Sequence, residues 1–247
     1  MIILKTKEEM LKMRKAGAIL SACHKEIAKM IRPGITTLAI NDFAEKFITD
    51  HGAEQVTKGF KGYPFATCAS VNDVIAHGFP NTEPLQEGDI VKMDIVCRYD
   101  GWCADTCQTY AVGNLSPQAA RLVQVARECL ELAIPQAVVG NRIGDVVHVI
   151  QQHAERAGYS IVRDLVAHGI GRSMHEEPSF PHAGKPGRGF RLQEGMVFTI
   201  EPMVNAGKLE MFIDFDGWTA RTVDGSLSAQ FEHTIAVTKD GPWVLTE

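Results

Sequence analysis

The chain has 247 residues, 45% hydrophobic and 22% charged, which is ordinary globular usage and enough length for one sizeable core. Lys plus Arg total 25 against 30 for Asp plus Glu, a net charge of -5 without a basic block, so no nucleic-acid ligand is expected. Met1-Ile2-Ile3-Leu4 gives way at once to Lys5, Lys7, Glu8 and Glu9, which excludes a signal segment or membrane span and sets the expectation of a cytoplasmic protein.

In chain order, Thr6 with Glu9 forms a capping box that opens a first helix, stopped at Arg32-Pro33-Gly34. Thr36 or Thr37 opens a second helix whose Ile40, Phe43, Ala44, Phe47 and Ile48 make an apolar stripe closed by Gly52. From Val91 to Val112 a β-branched, cysteine-rich run is interrupted by Asp100-Gly101, the pair favoured in two-residue type I′ hairpins. Ser116-Pro117 starts a third helix running to about Leu132, and a fourth runs from about Asp145 to Ala157. Strands joined by Gly, Pro and Asp turns fill the rest. The six cysteines (Cys23, Cys68, Cys97, Cys103, Cys107, Cys129) read as reduced, and Cys97, Cys103 and Cys107 lack zinc-ligand spacing.

This order, two helices then strands, occurs twice, and short motifs recur with it. Leu85-Gln86-Glu87-Gly88 returns as Leu192-Gln193-Glu194-Gly195, and six residues after each glycine stands a strand carboxylate, Asp94 or Glu201. Ala-His-Gly precedes each, at Ala76-His77-Gly78 and Ala167-His168-Gly169. We therefore expect one α+β catalytic domain over 1–247, made of pseudo-symmetric halves of about 1–114 and about 115–247. Asp94 and Glu201 should lie on equivalent strands related by an approximate two-fold axis, with the site between them.

A Tyr99–Trp102 pair across the hairpin would pair Val96 with Asp105 and bring Asp94 to the same face as Asp105, a diagonal neighbour about 7 to 8 Å away at Cα. A lone strand aspartate is usually solvated, but Val91, Ile95 and the alternating cysteines make a solvated strand less convincing here. Glu201 in Val197-Phe198-Thr199-Ile200-Glu201 and Glu232 in Gln230-Phe231-Glu232-His233-Thr234 lie in apolar runs where an unpaired carboxylate is costly to bury. With His168 they make an oxygen-rich set with one nitrogen, suited to two divalent ions. His24, His51, His148, His153, His182 and His233 are expected in surface or packing roles.

The ordered series Gly62-Tyr63-Pro64, Ser70-Val71-Asn72, His77-Gly78, Asp94 with Asp105, Val166-Ala167-His168-Gly169-Ile170-Gly171, His175-Glu176-Glu177-Pro178, Phe198-Thr199-Ile200-Glu201-Pro202-Met203, Asp216-Gly217-Trp218 and Ser228-Ala229-Gln230-Phe231-Glu232-His233-Thr234 resembles the type I methionine aminopeptidases over essentially the whole chain. That resemblance implies the pita-bread fold, with curved antiparallel sheet and outer helices. It also implies removal of the initiator methionine from nascent chains when the second residue is small. Asp94, Asp105, His168, Glu201 and Glu232 would be ligands of two ions (Co, Mn, Fe or Zn), Glu201 would shuttle the proton, and His77 and His175 would flank the scissile bond. The methionine pocket would comprise Tyr63, Cys68, Met174 and Trp218, with Phe60 nearby. Met174, Thr57, Ala76 and Ala167 depart from the residues usual at their places. One Na or K ion would sit at Asn72, Val74 and Ser228. A monomer in transient contact with the ribosome is expected. The competing readings are an Xaa-Pro aminopeptidase or prolidase, which usually carries a large N-terminal domain, and an inactive peptide-binding module of the same fold.

Overall fold

The structure, a computed structural model, describes residues 1–247. The first half runs α1 (Lys7–Met30), α2 (Thr37–Asp50), β1 (Glu54–Gln55), β2 (Thr67–Val71), β3 (Val74–Ala76), β4 (Ile90–Tyr99) and β5 (Trp102–Ala111). The second runs α3 (Pro117–Ala133), α4 (Ile143–Arg156), β6 (Ser160–Ile161), β7 (Val166–Gly169), β8 (Glu176–Pro181), β9 (Val197–Ile200), β10 (Met203–Asn205), β11 (Met211–Ile213), β12 (Ala220–Thr222), β13 (Ser228–Gln230), β14 (His233–Thr238) and β15 (Gly241–Val244).

Caps set the helix starts. The Glu9 amide donates to Thr6 Oγ1 at 3.3 Å while the Thr6 amide donates to Glu9 Oε2 at 2.8 Å. Thr36 and Ser116 cap α2 and α3 in the same way through the amides of Ala39 and Ala119. The fourth helix begins two residues earlier than Asp145, because Asp145 Oδ2 reaches back to the Arg142 amide at 2.8 Å. That reciprocal bond makes Asp145 the third helical residue, not the first.

Antiparallel pairing joins β4 to β2 and to β5 on opposite edges, and joins β9 to β7 and to β14. In β4, Val91, Met93, Ile95 and Cys97 pack under α1 and α2 with Leu20, Ile27, Ile40 and Ile48. A strand turns alternate side chains to opposite faces, so Lys92, Asp94 and Val96 point inward. The same rule acts in the second half, where Phe198, Ile200, Ala229 and Phe231 pack with Leu122, Val125, Val146 and Ile150 of α3 and α4. Thr199, Glu201, Gln230 and Glu232 are thereby turned away from the helices.

Threonine hydroxyls join the two sheets. Thr234 Oγ1 accepts from the Asp105 amide at 3.0 Å, Thr106 Oγ1 donates to the Glu232 carbonyl at 2.7 Å, and the Glu232 amide donates to the Cys107 carbonyl at 2.9 Å. Buried polar groups at this seam are thus paired across the halves. All six cysteines are free and buried, acting as small hydrophobic residues.

Candidate metal centre and substrate cleft

The Asp100-Gly101 turn decides the first half of the site. Both residues take positive φ, 50° and 76°, as a type I′ turn requires. The hairpin then pairs Tyr99 with Trp102, Val96 with Asp105 and Asp94 with Cys107. Asp94 and Asp105 therefore share the inner face, where Glu232 meets them from the residue before β14. One carboxylate oxygen from each of the three lies within 4.8 Å of the others. Glu201, just beyond β9, and His168, on β7, complete the group. His168 Nε2 stands 3.8 Å from both Asp105 Oδ2 and Glu201 Oε1.

Burial dominates the electrostatics. It raises Asp94 to about 6 and Glu201 to about 8, and it carries Asp105 and Glu232 well above the usual carboxylate range, where the neighbouring acids push them further. Burial lowers His168 to about 4, with His175 adding to the effect. A carbonyl can only accept, so the 3.0 Å contact of His168 Nδ1 with the Gly169 carbonyl places the proton on Nδ1 and leaves the Nε2 lone pair facing the acids. No Lys or Arg pairs with any of the four carboxylates, and Asp105 Oδ1 is buried without a hydrogen-bond partner. Repulsion among four acids and an orphaned oxygen call for cations, and a set of carboxylates with one neutral imidazole fits divalent metal.

Above the acids opens a cleft of about 360 Å³. Its walls include Phe60, Tyr63, Cys68, His77, Met174, His175 and Trp218 together with the five acid and imidazole groups. Tyr63 and Trp218 meet edge to face at 5.1 Å between ring centres, Phe60 and His175 at 5.2 Å, and His168 and His175 at 4.2 Å. His77 is held at φ 58°, a left-handed conformation uncommon for a residue with a side chain. Burial lowers the pKa of both His77 and His175, so each is a neutral imidazole near pH 7. Thr57 and Ala76 also line the cleft; Ala167 is buried among the residues under α3 and α4, away from its walls.

The model of metallopeptidase family M24 matches residues 11–239. The chain belongs to this family. It is 50% identical to methionine aminopeptidase A of Synechocystis over 246 residues, 99% of this chain and 97% of that one. The crystal structure of methionine aminopeptidase from Rickettsia prowazekii superposes with a TM-score of 0.98 at 43% identity, covering 100% of both chains. Prolidase from Pyrococcus horikoshii matches at a TM-score of 0.78 and 22% identity, over 99% of this chain and 63% of that one, a likeness of fold alone. The fold is the α+β pita-bread arrangement, and an M24 metallopeptidase is a hydrolase that uses divalent metal.

This M24 site also has supports that no local sequence pattern marks. Thr199 Oγ1 donates to Glu201 Oε1 at 2.7 Å. His182, expected in a surface or packing role, is fully buried, and its Nε2 accepts the Glu201 amide at 3.3 Å. Its loop neighbours gave no sign of this, because the bond is to backbone. Lys5 Nζ pairs with Glu176 Oε2 at 2.6 Å, and Glu176 Oε1 in turn accepts the amides of Arg172 and Ser173 beside His175. The monovalent ion expected at Asn72, Val74 and Ser228 does not fit what stands there. Lys92 Nζ donates to the Asn72 carbonyl at 3.2 Å and to the Ser228 carbonyl at 2.5 Å, so two of the three positions already face an amino group.

Proposed function

We propose that this chain removes methionine from the N-terminus of peptides whose second residue is small, using two divalent ions held by Asp94, Asp105, His168, Glu201 and Glu232. The buried, cation-demanding acid cluster at the floor of an aromatic and thioether-lined cleft carries this reading. Full-length identity of 50% to a named methionine aminopeptidase supports it. When bound, such ions would lower the pKa of a water and draw charge from a substrate carbonyl oxygen.

The chain's own groups supply the rest. Glu201 takes the proton of the attacking water at its carboxylate and passes it to the leaving amine nitrogen, while Thr199 Oγ1 fixes the carboxylate's orientation. His175, neutral because it is buried, donates an N–H to the carbonyl oxygen as negative charge gathers there. His77 assists at the scissile amide. The substrate's free α-amine is received at the acids, which confines cleavage to chain ends. Tyr63, Cys68, Trp218, Met174 and Phe60 enclose the methionine side chain, whose polarizable sulfur suits aromatic and thioether neighbours. His77 and His175 crowd the space beyond the scissile bond and restrict the second residue. The same reading sets the reaction in the cytosol, with a monomer meeting chains as they leave the ribosome.

Metal analysis of protein purified without added salts, joined to assays with Mn, Fe, Co or Zn on Met-Ala, Met-Lys and Ala-Pro peptides, tests the proposal. Two equivalents of metal and release of methionine from Met-Ala alone are expected. Rapid cleavage of Met-Lys or Ala-Pro, or peptide binding without turnover under every metal, contradicts it. Ribosome co-sedimentation and light scattering test the partner and the monomer.

A further inference from the structure

Lys92 is 1% exposed, buried as deeply as the core around it, yet it forms no ion pair. Asp73, the acid nearest in sequence to the groups it meets, is paired with Arg221 at 3.0 Å instead. Stripping a lysine of water without a carboxylate is costly, so its partners must offset that loss. They are the two backbone carbonyls already named, and each comes from a different half. Asn72 lies in the turn between β2 and β3 with φ 50°, and Ser228 opens β13. The Asn72 carbonyl also accepts the Ser228 amide at 3.0 Å, which draws the two segments together around the amino group. Ser228 Oγ is buried beside them with no partner.

Converging carbonyl oxygens with few other donors make a hard, oxygen-lined cradle of the kind that takes a small cation. Here the amino group at the end of a covalent stem already fills it, with its pKa lowered by burial to about 7. We propose that the Lys92 amino group is a tethered substitute for a monovalent cation, clasping the two halves of the molecule at Asn72 and Ser228, so that this chain neither needs nor binds Na or K there. It rests on that geometry and not on the peptidase reading, and the melting comparison below succeeds or fails whatever the substrate proves to be.

The purified, metal-loaded protein is melted in NaCl, KCl and choline chloride at equal ionic strength, and its hydrolysis of Met-Ala is measured in the same three salts. Wild-type protein should give the same melting temperature and the same rate in all three. A saturable rise in either with Na or K over choline overturns the proposal. Lys92→Ala and Lys92→Asn empty the cradle of its amino group, leaving the Asn72 carbonyl with only the Ser228 amide as donor. Both should melt lower in choline chloride and regain stability in NaCl or KCl, with a gain that grows with the logarithm of ion concentration once the site begins to fill. Variants that fold, retain divalent metal and respond identically to all three salts also overturn it. Should neither variant fold, the comparison of salts on the wild-type protein still decides.

Discussion

His168 and His175 stand with their rings 4.2 Å apart, yet their surroundings set them different tasks. His168 gives its Nδ1 proton to the Gly169 carbonyl and aims Nε2 at Asp105 and Glu201, an orientation that serves a metal and little else. His175 faces the cleft beside Phe60 and touches none of the carboxylates. Loss of the first ring should therefore remove metal and activity together in His168→Ala. In His175→Ala we expect near-normal metal content and kcat lower by roughly 10²- to 10³-fold, the usual consequence of losing one oxyanion donor. Metal stoichiometry, melting temperature and kcat on both variants check this. A His175→Ala protein without metal would show the roles wrongly divided, and one with a lowered melting temperature and unchanged kcat would make His175 an anchor for its loop.

Packing of α1 on β5 creates a buried histidine with a consequence for acid stability. His24 Nε2 donates to the Thr106 carbonyl at 3.3 Å, and Nδ1 lies 2.7 Å from the Tyr110 hydroxyl oxygen. Burial lowers its pKa from 6.5 to about 4. Above pH 6.5 the ring is neutral in both folded and unfolded chains, so its contribution is complete; between 6.5 and about 4 only the unfolded chain takes the proton, and stability falls. The full loss is about 3 kcal/mol at one unit per 1.36 kcal/mol. The metal-loaded protein should therefore lose melting temperature from pH 6.5 toward 4, and His24→Gln should flatten that slope; an unchanged slope would assign the acid sensitivity elsewhere. At this scale much was legible beforehand. Capping residues marked three helix starts because each cap is a local bond, and the Asp100-Gly101 turn fixed the strand register because few sequences tolerate two positive φ values in succession. The short strands β2 and β3 were not legible. The turn between them passes through left-handed Asn72, whose side chain is held by a distant bond, from the Ile90 amide to Asn72 Oδ1 at 3.1 Å.

What no local pattern could reveal is how distant segments brace one another. The repeated Leu-Gln-Glu-Gly and Ala-His-Gly motifs pointed to two halves with a site between, since repetition is visible along a chain. The seam itself is built by threonine hydroxyls and by Lys5 and Lys92, whose partners across the seam lie 100 or more residues away, so nothing near them in sequence marks their role. Lys5 shows what such bracing does for chemistry. Its amide donates to the Gly195 carbonyl at 2.7 Å, and its Nζ meets Glu176 Oε2 at 2.6 Å with both side chains nearly or wholly shielded from water. The other oxygen of Glu176 holds the amides of Arg172 and Ser173, three and two residues before His175. The segment ahead of α1 thus fixes, through one carboxylate, the loop that presents His175 from the other half. In Lys5→Met the stem's volume is kept and the charge is lost, leaving Glu176 buried and unpaired. Removing one partner of such a pair costs about 3 to 5 kcal/mol. The loop should loosen as well, and because a displacement of about 1 Å at a reacting group can cost ~10²-fold, kcat should fall while metal content holds. The double variant Lys5→Met, Glu176→Gln separates the two effects: it should recover part of the melting temperature by removing the stranded charge, yet keep the low kcat if Glu176 acts by ordering the loop. Recovery of both together, or a Lys5→Met enzyme with lower stability and wild-type kcat, would reduce the pair to a structural clamp with no bearing on His175.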